Sequence, residues 1–108
     1  MKEFVIGNTL EEALSLVPEG AIKKIKIDGK LFGITRRNQE FFVFDAFCPH
    51  RGASLIQGSI NQKGEIICPL HQYRFELKGG KVKAGYCPDL ETYPSELSEI
   101  GLKIKVPI

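Results

Sequence analysis

The chain has 108 residues, of which 43% are hydrophobic, and its 15 basic and 13 acidic side chains leave a formal net charge of +2. This length and composition fit one globular domain, and the small net charge argues against a nucleic-acid partner. No apolar run approaches the roughly 18 residues of a membrane span, and the N-terminal residues lack the apolar region of a signal peptide. We therefore expect a cytoplasmic protein with reduced thiols and no membrane partner.

The N-terminal part of the sequence predicts a strand followed by a short helix. Residues 3–6 read Glu-Phe-Val-Ile and are expected to form the strand. Thr9 and Glu12 make the capping-box pattern, with Thr9 as the N-cap. The helix that they open is expected to run for about two turns and to end before Pro18.

From residue 21 onward the sequence predicts an antiparallel sheet. Residues 21–27 alternate isoleucine with lysine, and Asp-Gly at 28–29 signals a tight hairpin. Residues 84–94 contain two prolines and are expected to form a loop. Short strands at regular spacing indicate an all-β sandwich or barrel. Further strands are expected at residues 31–35, 41–44, 65–67, 73–77, 81–83 and 102–106.

Two short segments carry most of the functional information. Residues 48–52 read Cys-Pro-His-Arg-Gly, and residues 68–71 read Cys-Pro-Leu-His. Each segment supplies one thiol and one imidazole, and both histidines of the chain fall inside these segments. Two soft thiolates and two imidazoles make a four-ligand metal site. The candidate metal-binding and cofactor-binding residues are Cys48, His50, Cys68 and His71.

This pattern resembles the Rieske-type [2Fe-2S] family, whose motif pair is roughly C-P-H-x-G-x-x-L and C-P-x-H-x-x-x-F. The match extends to Leu55 and Phe75, which are not ligands, and it covers about residues 41–94 directly. The resemblance implies one [2Fe-2S] cluster per chain, with the two cysteines on an inner iron and the two histidines on an outer iron near the surface. It also implies an all-β, Rieske-like antiparallel sandwich or barrel with one short N-terminal helix. Residues 1–108 are then expected to form a single domain, with a cluster-binding subdomain of two loops at about residues 46–85.

Some positions depart from the high-potential branch of that family. Respiratory and photosynthetic Rieske proteins carry an extra cysteine in each loop, and the matching residues here are Ala53 and Leu70. That branch also places a serine and a tyrosine hydroxyl near the cluster, where this chain has Tyr73 and Phe75. Fewer hydrogen bonds to the sulfurs lower the reduction potential, so the resemblance implies a low-potential, soluble ferredoxin. Cys87 stands where the family has a small residue. We interpret it as an apolar filler, with a redox-active or ligand-exchanging thiol as the alternative.

The resemblance implies a monomeric one-electron carrier rather than an enzyme, with no catalytic residues of its own. Its partners are expected to be a flavoprotein reductase and a terminal oxygenase of the aromatic-ring-hydroxylating kind. Because the cluster uses both histidines, a second metal site of the 2-His-1-carboxylate type cannot be built. Three alternatives stay open at this point: the small Rieske-like subunit of an assimilatory nitrite reductase, a zinc-stabilised interaction module, and ordinary buried cysteines with surface histidines.

Overall fold

The computed structural model describes residues 2–70 and 72–107, and within them the chain forms one α-helix and eleven β-strands. In chain order the elements are β1 (Lys2–Ile6), α1 (Leu10–Leu16), β2 (Ile22–Ile27), β3 (Lys30–Arg37), β4 (Glu40–Asp45), a 3-10 turn (Leu55–Gln57), β5 (Ser59–Ile60), β6 (Glu65–Ile67), β7 (Arg74–Glu76), β8 (Val82–Ala84), β9 (Thr92–Tyr93), β10 (Ser95–Ser98) and β11 (Gly101–Val106). The strands make three antiparallel sheets, with the strand orders β1-β11-β10, β2-β3-β4-β9 and β5-β6-β7-β8.

The hairpins of the central sheet follow from their turn residues. Ile27 pairs with Lys30, so the connection consists of Asp28 and Gly29 alone. Both have positive φ, 48° and 82°, which is the type I′ geometry that matches the twist of the two strands. The β3–β4 turn likewise begins with a left-handed residue, Asn38, whose φ is 55°.

The central sheet separates two hydrophobic cores, because successive side chains of a strand point to opposite faces. In β4, Phe41 and Val43 belong to one core, whereas Phe42 and Phe44 belong to the other. The helix-side core lies between this sheet, α1 and the β1-β11-β10 sheet. Its buried residues are Ala13, Val17, Ile27, Phe32, Ile34, Phe41, Val43, Tyr93, Leu102, Ile104 and Val106. The loop-side core lies toward β5–β8, and its buried residues are Phe44, Cys48, Leu55, Ile66, Cys68, Phe75, Leu77 and Leu90.

The first and last strands pair with each other on the helix side. Strand β11 pairs with β1 along its length, from Lys2 opposite Val106 to Ile6 opposite Leu102. The helix begins at its predicted N-cap, where the backbone N–H of Glu12 donates a 3.1 Å hydrogen bond to the Thr9 hydroxyl. Within the described ranges, no helix has the length and hydropathy needed to cross a bilayer.

The predicted all-β antiparallel fold with one short N-terminal helix is confirmed. The strand expected at residues 81–83 lies one residue later, at Val82–Ala84. The prediction of a continuous loop over residues 84–94 was wrong, because Thr92–Tyr93 forms β9 against the edge of β4. Strands β5 and β10 were not predicted either.

Candidate metal centre

The first ligand loop connects β4 to the 3-10 turn and closes on itself through backbone hydrogen bonds. The N–H of Cys48 donates to the carbonyl of Ala53 at 2.8 Å, and the N–H of Gly52 donates to the carbonyl of Cys48 at 2.8 Å. Gly52 has a φ of 73°, a conformation that glycine adopts without steric cost. Cys48 is buried, with 2% of its surface exposed. The loop therefore holds the Cys48 thiol inside the loop-side core.

The second ligand loop, between β6 and β7, repeats this backbone geometry. The N–H of Cys68 donates to the carbonyl of Tyr73 at 2.8 Å, five positions ahead, as Cys48 does to Ala53. The fourth residue after each cysteine is left-handed: Gly52 in the first loop and Gln72, with a φ of 57°, in the second. The near-repeat in the sequence is thus a near-repeat in the structure.

The two loops bring the Cys48 and Cys68 thiols into contact. Burial raises the pKa of the Cys68 thiol, a hydrogen bond from the Leu70 backbone N–H lowers it, and a side-chain hydrogen bond with Cys48 raises it again. Both thiols are free rather than joined in a disulfide, and Cys68 is completely buried. Soft cations bind cysteine sulfur as thiolate, so two adjacent thiols in an apolar core offer a pair of ligands to such a cation.

His50 follows Cys48 by two residues in the first loop, and it is less exposed than an outer ligand near the surface was expected to be. The residue is half-buried and its Nδ1 atom is buried. Its ring stacks on Tyr73, with 4.0 Å between the ring centroids and 9° between the ring planes. The fourth predicted ligand, His71, lies outside the described residues. Within residues 2–70 and 72–107, no three His, Cys, Asp or Glu side chains are grouped so that they could hold a metal ion.

A third loop, residues 85–91, packs against the same core. Cys87 is half-buried in this loop. Burial is the main cause that raises the pKa of its thiol, and the charge of the nearby Cys48 raises it further. The loop is fixed by two hydrogen bonds at 3.0 Å and 2.8 Å, from the N–H of Val82 to the Asp89 carboxylate and from the N–H of Leu90 to the carbonyl of Gly80. Cys87 packs against the loop-side core, as an apolar filler would.

The donor set fits the group that the sequence pattern implies. Two buried, adjacent sulfurs suit an iron–sulfur cluster or zinc, and they do not suit calcium or magnesium, which prefer oxygen ligands. Of the four predicted ligands the structure describes Cys48, His50 and Cys68, and it brings the two cysteines together. Sequence reasoning did not predict the contact between His50 and Tyr73. The available signal was an aromatic residue at the position that follows the left-handed residue of the second loop.

Comparison with known proteins separates the remaining possibilities. The family model of the Rieske [2Fe-2S] domain matches residues 9–94. The ferredoxin component of naphthalene 1,2-dioxygenase/salicylate 5-hydroxylase systems from Ralstonia sp is 31% identical over 91 residues, which cover 83% of this chain and 86% of that protein.

Solved structures share the fold. The ferredoxin of carbazole 1,9a-dioxygenase from Nocardioides aromaticivorans IC177 superposes with a TM-score of 0.82 at 21% identity, over 96% of this chain and 97% of the other. The complex of reduced oxygenase and oxidised ferredoxin in carbazole 1,9a-dioxygenase matches with a TM-score of 0.78 at 22% identity, over 94% of this chain and 91% of the other. The chain therefore belongs to the Rieske [2Fe-2S] family, with one [2Fe-2S] cluster as its cofactor, and within that family it is a ferredoxin, an electron carrier rather than an enzyme.

Proposed function

We propose that Cys48, His50, Cys68 and His71 hold the [2Fe-2S] cluster, the cysteines on the inner iron and the histidines on the outer one. The observation that carries this assignment is the repeated loop, which places Cys48 and Cys68 in equivalent backbone settings, each with a histidine two or three residues later in the sequence. When bound, the cluster supplies a one-electron redox couple. Two neutral imidazoles in place of two thiolates remove two negative charges from the ligand set, so they raise the reduction potential above that of an all-cysteine site.

We further propose that the chain carries single electrons from a flavoprotein reductase to a terminal oxygenase. The relatives support this proposal, because the Ralstonia protein is the ferredoxin component of such oxygenase systems and a similar ferredoxin forms a complex with its oxygenase. The ligand loops also offer a surface for docking. Phe47 next to the first loop and Leu70 in the second leave 51% and 37% of their surfaces exposed.

We also propose a domain organisation, an oligomeric state and a location for the whole chain. Residues 1–108 form a single domain whose cluster-binding subdomain spans about residues 46–85. The protein works as a monomer in the cytoplasm, where thiols stay reduced and available as ligands. Gel filtration of the protein alone, and then with its partners, tests the monomeric state and separates a free carrier from a permanent enzyme subunit.

The proposed potential lies near the low end of the Rieske range, at roughly −150 mV rather than +300 mV. Phe75 supports this value, because it is fully buried in the loop-side core and carries no hydroxyl to donate to a cluster sulfur. Ala53 and Leu70 support it as well, since neither can form the extra disulfide of the high-potential branch. Protein-film voltammetry at neutral pH measures the potential, and a value above about +100 mV contradicts the low-potential assignment.

Metal analysis and electron paramagnetic resonance test the ligand set. The purified protein is expected to hold about two irons and two labile sulfides per chain, and its reduced form should show the low average g value of mixed Cys/His ligation. Stoichiometric zinc without labile sulfide would contradict the proposal.

A reconstituted assay tests the carrier role. Electrons from a reductase should reach an oxygenase only when this protein is present. Phe47→Ser should slow that transfer, whereas Ile100→Ser, which changes a 65% exposed residue of the β10–β11 turn, should not. Equal rates for the two variants would place the docking surface elsewhere.

A further inference from the structure

Tyr73 links the two ligand loops. Its backbone belongs to the second loop, where its carbonyl accepts the 2.8 Å hydrogen bond from the N–H of Cys68. Its side chain lies on the first loop, where the ring stacks nearly parallel on the His50 imidazole at a centroid distance of 4.0 Å. One residue therefore contacts a candidate ligand of each loop, and the family motif does not specify a residue at this position.

The third loop holds the Tyr73 ring from another direction. Strand β8 pairs Ala84 with Arg74, next to an irregularity in the β7 register, and this brings Gly85 beside Tyr73. A Cβ atom at Gly85 would lie 2.2, 2.4 and 2.6 Å from three carbons of the Tyr73 ring. Gly85 also has a φ of +124°, which side-chain-bearing residues rarely adopt. The backbone of the third loop thus packs directly on the ring.

We propose that Tyr73 is a positioning residue that fixes the plane of the His50 imidazole for binding to iron, and that Gly85 lets the third loop hold Tyr73 in place. This inference rests on the proposed function in one respect, the assignment of His50 as a ligand. Before it binds iron, the imidazole can turn about its side-chain torsion angles, and a parallel ring at 4.0 Å limits that rotation. Aromatic pairs of this kind contribute about 0.5–1.5 kcal/mol beyond the area that they bury.

The proposal differs from simple packing in what it requires of the side chain. If Tyr73 only fills space in the loop-side core, Tyr73→Leu removes packing volume but leaves the ¹⁴N couplings of the bound histidines unchanged. If Tyr73 orients the His50 ring, residue 73 needs a flat aromatic ring but does not need the hydroxyl group. Tyr73→Phe should therefore preserve the wild-type properties, whereas Tyr73→Leu should lose them even if the protein folds and loads its cluster.

The experiment compares holoproteins by two measurements that do not depend on turnover. Pulsed electron paramagnetic resonance of the reduced cluster reports the ¹⁴N couplings of the bound histidines, and bleaching by a chelator reports the rate of cluster loss. In Tyr73→Leu we expect the couplings of one histidine to shift and the cluster to be lost about 2- to 10-fold faster, the range that corresponds to the energy of one aromatic pair. Tyr73→Phe should match the wild type.

Tyr86→Leu is the matched control. It makes the same substitution in the third loop at a side chain that is 97% exposed. If Tyr73→Leu and Tyr86→Leu give the same couplings and the same rate of cluster loss, the positioning role is wrong. If the wild-type protein itself lacks the signal of mixed Cys/His ligation, it is the proposed function that fails.

Gly85→Ala tests the same idea without changing either ring. The new methyl group must displace the Tyr73 ring, so this variant should reproduce the shifted couplings and the faster loss of Tyr73→Leu. Gly79→Ala is its control, because Gly79 has a φ of +89° and nothing lies within 4 Å of the position that an added methyl group would take. It imposes a left-handed alanine on the β7–β8 turn without a collision. If the two alanine variants behave alike, the proposed role of the third loop is wrong. The comparison of the two alanine variants can still be made if Tyr73→Leu does not fold.

Discussion

The two cores on opposite faces of the central sheet are built in different ways. The helix-side core consists of aliphatic and aromatic side chains, and it is closed by the six-residue strand β11 and the cap of α1. The loop-side core is bordered by strands of two or three residues, and two of its eight buried members are Cys48 and Cys68. One core is complete with its own side chains, whereas the other holds two thiols that we propose as ligands of the cluster, which would complete it.

This difference predicts a division of stability within one chain. Metal binding to a site that is absent from the unfolded chain contributes its free energy to folding. Without metal, the loop-side core buries two adjacent thiols that bind nothing, and its short strands offer few backbone hydrogen bonds to stabilise it. We therefore expect the helix-side core to fold independently of the cluster and the loop-side core to depend on it.

Loss of a thiol ligand should have the largest effect. Cys48→Ser and Cys68→Ser should each abolish the cluster, because thiolates are its strongest ligands. Hydrogen exchange should then accelerate in β6 and β7 and stay slow in β1, β3 and β11. Iron and sulfide analysis combined with hydrogen-exchange mass spectrometry measures both parts.

Cys87→Ser is the control for this prediction, since its thiol lies nearby but outside the proposed ligand set. It should keep the full cluster and wild-type exchange. Loss of the cluster from a folded Cys87→Ser protein would show that the ligands are assigned wrongly. Uniform exchange throughout Cys68→Ser would show that the two cores do not differ.

A matched pair of phenylalanines gives the next largest effect. Phe32 in the helix-side core and Phe75 in the loop-side core are both 0% exposed. Each change to alanine should cost about 3–5 kcal/mol locally, through lost transfer energy and the cavity that remains. Phe32→Ala should lower the free energy of global unfolding in urea, whereas Phe75→Ala should mainly accelerate cluster loss. Equal effects of the two variants on both measurements would mean that the sheet couples the cores into one unit.

Alkaline pH should weaken the helix-side core through Tyr93. Burial raises the pKa of this phenol, and its hydrogen bond to the Asp45 carboxylate raises it further. The stabilising contribution is fully present below the unfolded-state pKa of about 10, and it falls above that value by at most about 1.4 kcal/mol per pH unit. Urea unfolding between pH 8 and about 11 measures the slope, which Tyr93→Phe should reduce and Tyr86→Phe should not. An unchanged slope in Tyr93→Phe would assign the alkaline loss to other groups.

The elements that could be predicted from the sequence are those with a local physical signal. Asp28 and Gly29 predicted the β2–β3 turn because few residues tolerate positive φ at two consecutive positions. Strands β5 and β9 have two residues each, too few to show an alternating pattern. The partners of β9 in β4 lie about fifty positions earlier, as in the pairing of Val43 with Tyr93, and no local signal reports such a contact.

The candidate site also has parts that the sequence could predict and parts that it could not. The spacing of cysteine and histidine predicts a ligand set that stays a prediction, and of that set the structure brings Cys48 and Cys68 together. The role of His71 stays a prediction, because that residue lies outside the described ranges. The stacking of Tyr73 on His50 could not be predicted, since it joins side chains from two loops whose relative placement is decided by the fold.

The smallest expected effect concerns the cap of α1. Thr9→Ala removes the hydroxyl that accepts the 3.1 Å hydrogen bond from the N–H of Glu12, which should cost about 1 kcal/mol of unfolding free energy. Thr9→Ser keeps a capping oxygen and should lose much less. Because α1 contributes Ala13 to the helix-side core, the rate of cluster loss should not change in either variant. Urea unfolding and chelator bleaching, measured on the same samples, check both statements. A Thr9→Ala protein that lost its cluster faster would show that the helix supports the ligand loops through the central sheet, and the division between the two cores would not hold.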